Sequence, residues 1–285
     1  MKRIISLILV SVMTLLAFCA CGNTTDADDK STDTPAVSGT DTAASDTTDD
    51  DTAASDYDYI KNKGKLIVGI TEYEPMNYKD ENGEWTGFDT EFAQAVCEKL
   101  GVEAEFIVID WDNKFAELKS KAIDCIWNGM TITDEVKLNT SVSDPYVKNA
   151  QVVVMKSDKI GDYGDFDTMK DLTFAAESGS AGAALINDKS YNCVEVSDQA
   201  AALLEVNSGS ADACVIDITM ANAMTGEGTS YANLGIACEL NAEEYGIGFR
   251  QDSDMTEKVN GIIKDLLADG VLDGLAEKYS LTLVK

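Results

Sequence analysis

From residue 66 onward, short apolar runs alternate with segments whose apolar residues recur at helical spacing. The first apolar runs cover residues 66–70, 106–109 and 123–127. After the first run, Phe92, Val96 and Leu100 fall on one face of a helix that begins near Asp89. Strands separated by helices at this spacing predict an α/β fold with a largely parallel sheet.

The same alternation begins again after a further apolar run. These later runs cover residues 151–155, 172–176, 193–196, 213–216 and 245–249. We therefore expect two lobes, with residues 57–150 as the first part of lobe 1, residues 151–239 as lobe 2, and residues 240–285 returning to lobe 1. Two chain crossings would form a hinge. Ligands of open α/β sheets bind beyond the carboxyl ends of the strands, so a cleft between the lobes is predicted.

The N-terminus has the plan of a signal peptide, which we assign to residues 1–21. Lys2 and Arg3 precede an apolar run at residues 4–18 that is short for a membrane span. Small residues and cysteines follow, and residues 18–22 resemble a bacterial lipobox. Cys21 is the expected lipidation site and Cys19 is the alternative. Secretion without a lipid, or a retained anchor helix, are the competing interpretations.

Residues 22–56 are almost entirely Asp, Thr, Ala, Ser and Gly. No side chain in this segment could build a core, so the composition predicts a disordered acidic tether. The whole chain carries a net charge of −29, and nucleic-acid binding needs a basic patch. Binding to nucleic acid is therefore not expected.

Residue types with characteristic chemistry are few. The chain contains no histidine, which excludes Ser-His-Asp and Cys-His catalysis and histidine metal sites. Five cysteines follow the signal segment without any CxxC pair, and a Cys193–Cys238 bridge is one possibility. We expect no catalytic residue, no metal site and no cofactor.

Several short motifs occur in a specific order along almost the whole folded part. They are Gly64-Lys65-Leu66-Ile67-Val68-Gly69, Gly87-Phe88-Asp89, Asp110-Trp111-Asp112, Ile123 to Thr133, Ser143-Asp144-Pro145-Tyr146, Glu177-Ser178-Gly179-Ser180, Ala211 to Asp217, and Glu244-Tyr245-Gly246-Ile247-Gly248. Together they resemble the polar amino-acid branch of the bacterial solute-binding proteins of ABC importers. The resemblance implies a two-lobed, type II periplasmic-binding-protein fold in a monomeric, lipid-anchored protein outside the cell membrane. It also implies that the protein passes an amino acid or amine to a permease complex.

Polar candidate ligand-binding residues lie where strands end and helices begin. Asp217 follows a strand, and the resemblance implies that it binds a ligand α-ammonium; capping the next helix is the alternative. Ser180 precedes a helix whose first N–H groups favour an anion, and the resemblance implies that it binds the α-carboxylate. Thr131 and Thr133 are implied as hydrogen-bonding groups.

Further candidates lie near two other strand ends. The resemblance places an aromatic wall of the cleft at Tyr73. Trp127 ends a strand that faces the crevice, or belongs to the ordinary core. Glu72 is a candidate cleft acid, or an exposed loop charge.

One departure from the family pattern concerns the ligand. The family's Thr-x-Thr-x-x-Arg run, whose Arg pairs with the carboxylate, ends here in Val136. Lys137 points about 100° away on a helix. Acids in the cleft without that Arg favour a cationic amino acid or amine.

Two other functions are compatible with the same fold. One is a dehydratase-like enzyme, in which a carboxylate pair such as Glu72 and Asp217 would perform the acid–base steps. The other is a surface module that senses a ligand and feeds no importer.

Overall fold

The computed structural model describes residues 55–285. The predicted signal peptide, Cys21 and residues 22–54 of the predicted tether lie outside this range. Ser55 and Asp56, which we had assigned to the tether, begin a helix instead, because the Ser55 side chain accepts a hydrogen bond from the Asp58 N–H. Within residues 55–285, no helix is long and apolar enough to cross a membrane.

Lobe 1 contains the elements that precede the first crossing. In chain order they are α1 (Asp56–Lys63), β1 (Lys65–Ile70), β2 (Tyr78–Lys79), β3 (Trp85–Thr86), α2 (Phe88–Leu100), β4 (Glu103–Val108), α3 (Lys114–Lys119), β5 (Cys125–Thr131), α4 (Asp134–Asn139) and β6 (Ser141–Val142). A single 3-10 turn, Trp111–Asn113, leads into α3. Strand β1 pairs in parallel with both β4 and β5, as the alternating pattern predicts.

The chain then crosses to lobe 2 and returns. The crossing strand β7 (Val147–Lys156) is followed by β8 (Thr173–Glu177), α5 (Ala181–Asp188), β9 (Asn192–Val196), α6 (Gln199–Ser208), β10 (Ala213–Asp217) and α7 (Ile218–Met224). The second crossing strand is β11 (Leu234–Phe249), and α8 (Met255–Ala268) and α9 (Val271–Tyr279) end the chain. Helices α8 and α9 pack on α2, so the last segment returns to lobe 1.

The two crossing strands form one ribbon, which the sequence analysis did not predict. Strands β7 and β11 pair antiparallel from Val147 and Tyr245 to Lys156 and Leu234. One end of the ribbon pairs with β5 of lobe 1, and the other end pairs with β10 of lobe 2. The strands of the two predicted lobes do not form separate sheets. They form a single hydrogen-bonded sheet with the strand order β4-β1-β5-β11-β7-β10-β8-β9. The predicted lobe boundaries fall inside the ribbon.

Aspartates at two helix starts make different bonds. Asp198 caps α6 by accepting from the Ala201 N–H. Asp254 makes no side-chain cap on α8, because its carboxylate accepts from the Tyr57 N–H at 3.0 Å.

The geometry rules out the possible Cys193–Cys238 bridge. Cys193 lies on β9 and Cys238 on β11, at opposite edges of the lobe 2 sheet with three strands between them. At about 4.8 Å per strand the separation is roughly 19 Å, far beyond the reach of a disulfide. The five cysteines in the described part of the chain are unpaired.

Arg250 joins three segments of lobe 1 at the end of β11. Its Nε donates to the Asp56 carboxylate at 3.0 Å, Nη1 donates to the Ile123 carbonyl at 2.9 Å, and Nη2 donates to Asp124 at 3.4 Å. The Asp124 side chain is completely buried. Removal of the guanidinium would leave the buried Asp124 carboxylate with less compensation. Removing one partner of a buried ion pair is strongly destabilising.

We therefore expect Arg250→Ala to lower the free energy of unfolding by about 3 kcal/mol. Lys99→Ala is the control, because Lys99 pairs with Asp269 on an exposed surface, where such pairs contribute at most about 1 kcal/mol. Urea denaturation followed by tryptophan fluorescence measures both losses. Equal losses in the two variants would contradict a structural role for the Arg250 contacts.

Candidate functional site

The carboxyl ends of strands from both lobes meet at one cavity. Strand β5 of lobe 1 ends there, and so do β8 and β10 of lobe 2, while α4 and α5 begin there. The cavity has a volume of about 290 Å³. Its lining includes Trp111, Lys114, Asn128, Gly129, Met130, Thr131, Thr133, Asp134, Glu135, Val136, Gln151, Glu177, Gly179, Ser180, Ala181, Ala184, Gln199, Val215 and Asp217. This size suits a small ligand.

A wider groove of about 800 Å³ lies beside the cavity. The two spaces share Thr131, Thr133 and Asp134 on one side and Ala181 and Ala184 on the other. The groove is the more open of the two spaces, so a ligand in it would keep more of its surface in water. The smaller cavity contains the buried polar groups and is therefore the candidate binding site.

Asp217 ends β10 and lines the cavity with only 3% of its surface exposed. Its carboxylate accepts hydrogen bonds from the side-chain amides of Asn149, Gln151 and Gln199, the Gln151 bond being 2.6 Å long. The backbone N–H of Asp217 donates to the Gln199 Oε1 at 2.9 Å. The carboxylate makes no capping bond to α7, so the alternative role as a helix cap is not realised.

Glu243 lies on the ribbon strand β11, next to the Asp217 carboxylate at the end of β10. It was not predicted from the sequence. Its Oε1 accepts from the same two amides of β7, at 2.5 Å from Asn149 and 2.7 Å from Gln151, and from the Thr131 Oγ1 at 2.7 Å. Burial, and then repulsion by Glu243, raise the pKa of Asp217 from 3.8 to about 7.

Glu177 is a second buried carboxyl in the cavity. It ends β8, is 3% exposed, and its Oε1 has no hydrogen-bond partner in the described structure. Burial is the main reason that the pKa of Glu177 rises to about 8. Glu177 opens the motif Glu177-Ser178-Gly179-Ser180, but no role was predicted for it. Its position at the end of an apolar run, like that of Asp217, was the signal that could have identified it.

Lys114 is the one cationic side chain that lines the cavity within residues 55–285. It begins α3 in lobe 1, is 5% exposed, and its Nζ donates to the carbonyls of Trp111 at 3.1 Å and Gly179 at 2.9 Å. Burial lowers the pKa of Lys114, and the nearby carboxylates of Glu135 and Glu177 act in the opposite direction. No sequence pattern had singled out this residue.

Gly179 permits the close approach of the lobes at this point. Its φ is +68°, and a Cβ at this position would lie 2.8 Å from the Oδ1 of Asp112 in lobe 1. A larger residue would be strained in this backbone conformation and would also push the lobes apart. The loop that leads into α5 therefore contacts lobe 1 directly through its backbone.

The three predicted hydroxyl residues all line the cavity. The Thr133 Oγ1 accepts from the Val136 N–H at 3.1 Å and caps α4, and the Ser180 Oγ accepts from the Ala183 N–H at 3.1 Å and caps α5. The Thr131 Oγ1 donates to Glu243. The structure thus brings Thr131, Thr133, Ser180 and Asp217 together.

The other three predicted residues do not line the cavity. The indole of Trp127 is fully buried in lobe 1, 4.8 Å from the Phe92 ring between centroids, which is the core alternative. Glu72 is exposed, which is the loop alternative. Tyr73 is buried beside the cavity, where its hydroxyl bonds to those of Tyr245 at 2.5 Å and Thr219. Trp111 is the aromatic residue that lines the cavity instead.

Comparisons with known proteins identify the family. The model of the bacterial extracellular solute-binding proteins, family 3, matches residues 66–282. The chain belongs to this family. It is 28% identical over 225 residues to the L-cystine-binding protein TcyJ of Escherichia coli, covering 77% of this chain and 84% of that one. It is 31% identical over 227 residues to the arginine-binding extracellular protein ArtP of Bacillus subtilis, covering 76% and 86%.

Solved structures show the same two-lobed fold. Holo ArgBP from T. maritima has a TM-score of 0.70 and 33% identity, and the match covers 78% of this chain and 98% of that one. The ancestral amino-acid-binding protein AncCDT-1, a precursor of cyclohexadienyl dehydratase, has a TM-score of 0.72 and 30% identity, covering 78% and 98%. The predicted family and the predicted two-lobed fold are therefore confirmed.

The raised pKa of Asp217 makes a prediction about stability. Because this pKa rises from 3.8 to about 7 on folding, the group's contribution to the free energy of unfolding is complete below about pH 4 and is lost as the pH rises through 7. Relative to Asp217→Asn, the wild type should therefore lose stability between pH 4.5 and 8 in urea denaturation. Asp212→Asn, an exposed change at the residue directly before β10, controls for the loss of one acid. A constant difference between wild type and Asp217→Asn would contradict the assignment.

Proposed function

We propose that the protein is the solute-binding component of an ABC importer and captures an amino acid with a cationic side chain. The observation that supports this ligand class is the charge of the cavity. Four carboxyl groups line it, those of Asp134, Glu135, Glu177 and Asp217, against one ammonium group. Two of these acids are almost completely buried, and a buried anion is stable only when a cation or hydrogen-bond donors compensate it.

Each end of such a ligand has a suitable partner. The α-ammonium group takes the place of some of the amide donors on Asp217, at the end of β10. The side-chain cation pairs with Glu177, whose Oε1 lacks a hydrogen-bond partner among the described residues. The ring of Trp111 packs against the aliphatic part of the ligand. The relatives named as arginine-binding support this class, and the one named as cystine-binding supports an amino acid more generally.

The hydrogen bonds of Asp217 also couple the ligand to the ribbon. Asn149 and Gln151 lie on β7, and Glu243 lies on β11, so the ammonium site is bonded to both strands that connect the lobes. A cation that enters this cluster changes the charge balance at the point about which the lobes move. We therefore expect the lobes to close on the ligand, as in other hinged binding proteins.

Calorimetry of the domain without its N-terminal segment tests the ligand class. We expect L-arginine, L-lysine or L-ornithine to bind, and Asp217→Asn to weaken the tightest of them by about 100-fold, because a charge-assisted hydrogen bond is lost. Asp212→Asn removes an exposed acid directly before β10 and should leave the affinity unchanged. Tighter binding of L-glutamate than of any cationic amino acid would contradict the proposed specificity.

The similarity to AncCDT-1 makes a dehydratase-like enzyme the alternative function. Buried acids with raised pKa values also occur in active sites. The pair that would perform acid–base steps is not assembled, however, because Glu72 is exposed and lies outside the cavity that contains Asp217. We propose binding without turnover. Release of a product from a cyclohexadienyl acid, followed by ultraviolet absorbance, would favour the enzyme.

We further propose that the protein is held at the outer face of the cell membrane by a lipid on Cys21, with a permease complex as its partner. Acyl chains stabilise membrane attachment by about 0.8 kcal/mol per buried methylene. Cys21→Ala in the full chain should move the protein from the membrane fraction to the medium in an immunoblot, and Cys19→Ala should leave it attached. Release by Cys19→Ala alone would assign the lipid to Cys19.

A further inference from the structure

The carboxylate of an amino acid is poorly compensated in a cavity lined by four acids. The family pattern's Arg is replaced by Val136, a buried apolar residue that lines the cavity and cannot compensate the charge. Lys137 lines the outer groove and not the cavity. We propose that Lys114 binds the α-carboxylate of the ligand. This inference rests on the proposed function and adds a residue that determines specificity for amino acids.

The ammonium group of Lys114 is buried without an anionic partner. Among the described residues, no carboxylate lies within 4.0 Å of its Nζ, and its two acceptors are the carbonyls of Trp111 and Gly179. An ammonium group has three N–H donors, so one donor remains for a ligand. A buried cation of this kind is stabilised most by an anion that enters the cavity.

Lys114 lies beside a second group of donors. The Gly179 carbonyl that it binds at 2.9 Å belongs to the residue directly before Ser180, which caps α5. The first N–H groups of a helix have no acceptor within the helix and carry a partial positive charge. A carboxylate at the start of α5 would therefore receive bonds from the helix and from the Lys114 Nζ together. These two sources of donors belong to different lobes, so this carboxylate would connect them.

The competing role for Lys114 is to serve as the protein's own counterion for a buried acid. Its Nζ lies 5.0 Å from the centre of the Trp111 ring, and the Glu177 carboxylate acts on its charge. The cationic side chain of a ligand would then compete with the Lys114 ammonium group for the same position in the cavity. Removal of Lys114 would then tighten the binding of cationic ligands, which is the opposite of the effect expected for a carboxylate partner.

A comparison of L-arginine with agmatine, the same molecule without its carboxylate, separates these roles. In calorimetry we expect the wild type to bind L-arginine more tightly than agmatine. Lys114→Met keeps the aliphatic stem. It should weaken the binding of L-arginine by about 10- to 100-fold and the binding of agmatine by less than about 3-fold. Lys137→Met is the matched control and should change neither affinity by more than about 2-fold.

Each other outcome overturns the proposal in a distinct way. Equal losses for both ligands in Lys114→Met would mean that Lys114 only holds the lobes together, and tighter L-arginine binding would identify it as a competing cation. If a thermal melt shows that Lys114→Met is unfolded, the two affinities of the wild type are the test. Equal affinity for L-arginine and agmatine would rule out a carboxylate partner. A wild type that binds no cationic amino acid would instead overturn the proposed function.

Discussion

Strands β7 and β11 pair into a ribbon that both lobes share. This two-stranded ribbon carries hydrogen bonds to β5 of lobe 1 at one end and to β10 of lobe 2 at the other, so each lobe completes its sheet with the same two strands. The ribbon also supplies Asn149, Gln151 and Glu243, the side chains that surround the Asp217 carboxylate. The connection between the lobes and the support of the candidate site are therefore the same piece of backbone, and a change in one is transmitted to the other.

Buried carboxyl groups are the feature of the cavity that supports the proposed binding of a ligand. The carboxyls of Glu177 and Asp217 end neighbouring parallel strands, and burial raises the pKa of both, to about 8 and about 7. Amide donors partly compensate Asp217, whereas the Glu177 Oε1 has no partner in the described residues. Structural stability alone would favour apolar residues at such positions. Buried acids that the protein's own groups pair incompletely are typical of a site whose counterion is supplied from outside.

Hydrophobic periodicity was enough to predict the eight strands of the main sheet order, but not the short strands β2, β3 and β6 or the more polar first part of β11. It also predicted the position of Asp217, because a carboxylate directly after a buried strand in an α/β fold lies at the edge of the sheet where ligands bind. Side-chain direction was not predictable in the same way. Trp127 lies within β5 and points into the core, although Thr131 at the end of the same strand lines the cavity. Glu243 and Lys114 were missed because neither follows an apolar run. Glu243 lies in an exposed, polar part of a long strand, and Lys114 reaches the cavity only through the approach of the two lobes.

The replacement of a guanidinium by an ammonium changes more than the identity of one side chain. An arginine on α4 would be carried by lobe 1 alone and would bind a carboxylate through two parallel hydrogen bonds with a defined orientation. Lys114 is a point charge, and its Nζ is held by a carbonyl of each lobe, Trp111 in lobe 1 and Gly179 in lobe 2. Its position in the cavity therefore depends on how closely the lobes approach. Under the proposed role, the site tolerates more variation in the angle of the carboxylate, and its cation is in place only when the lobes are together.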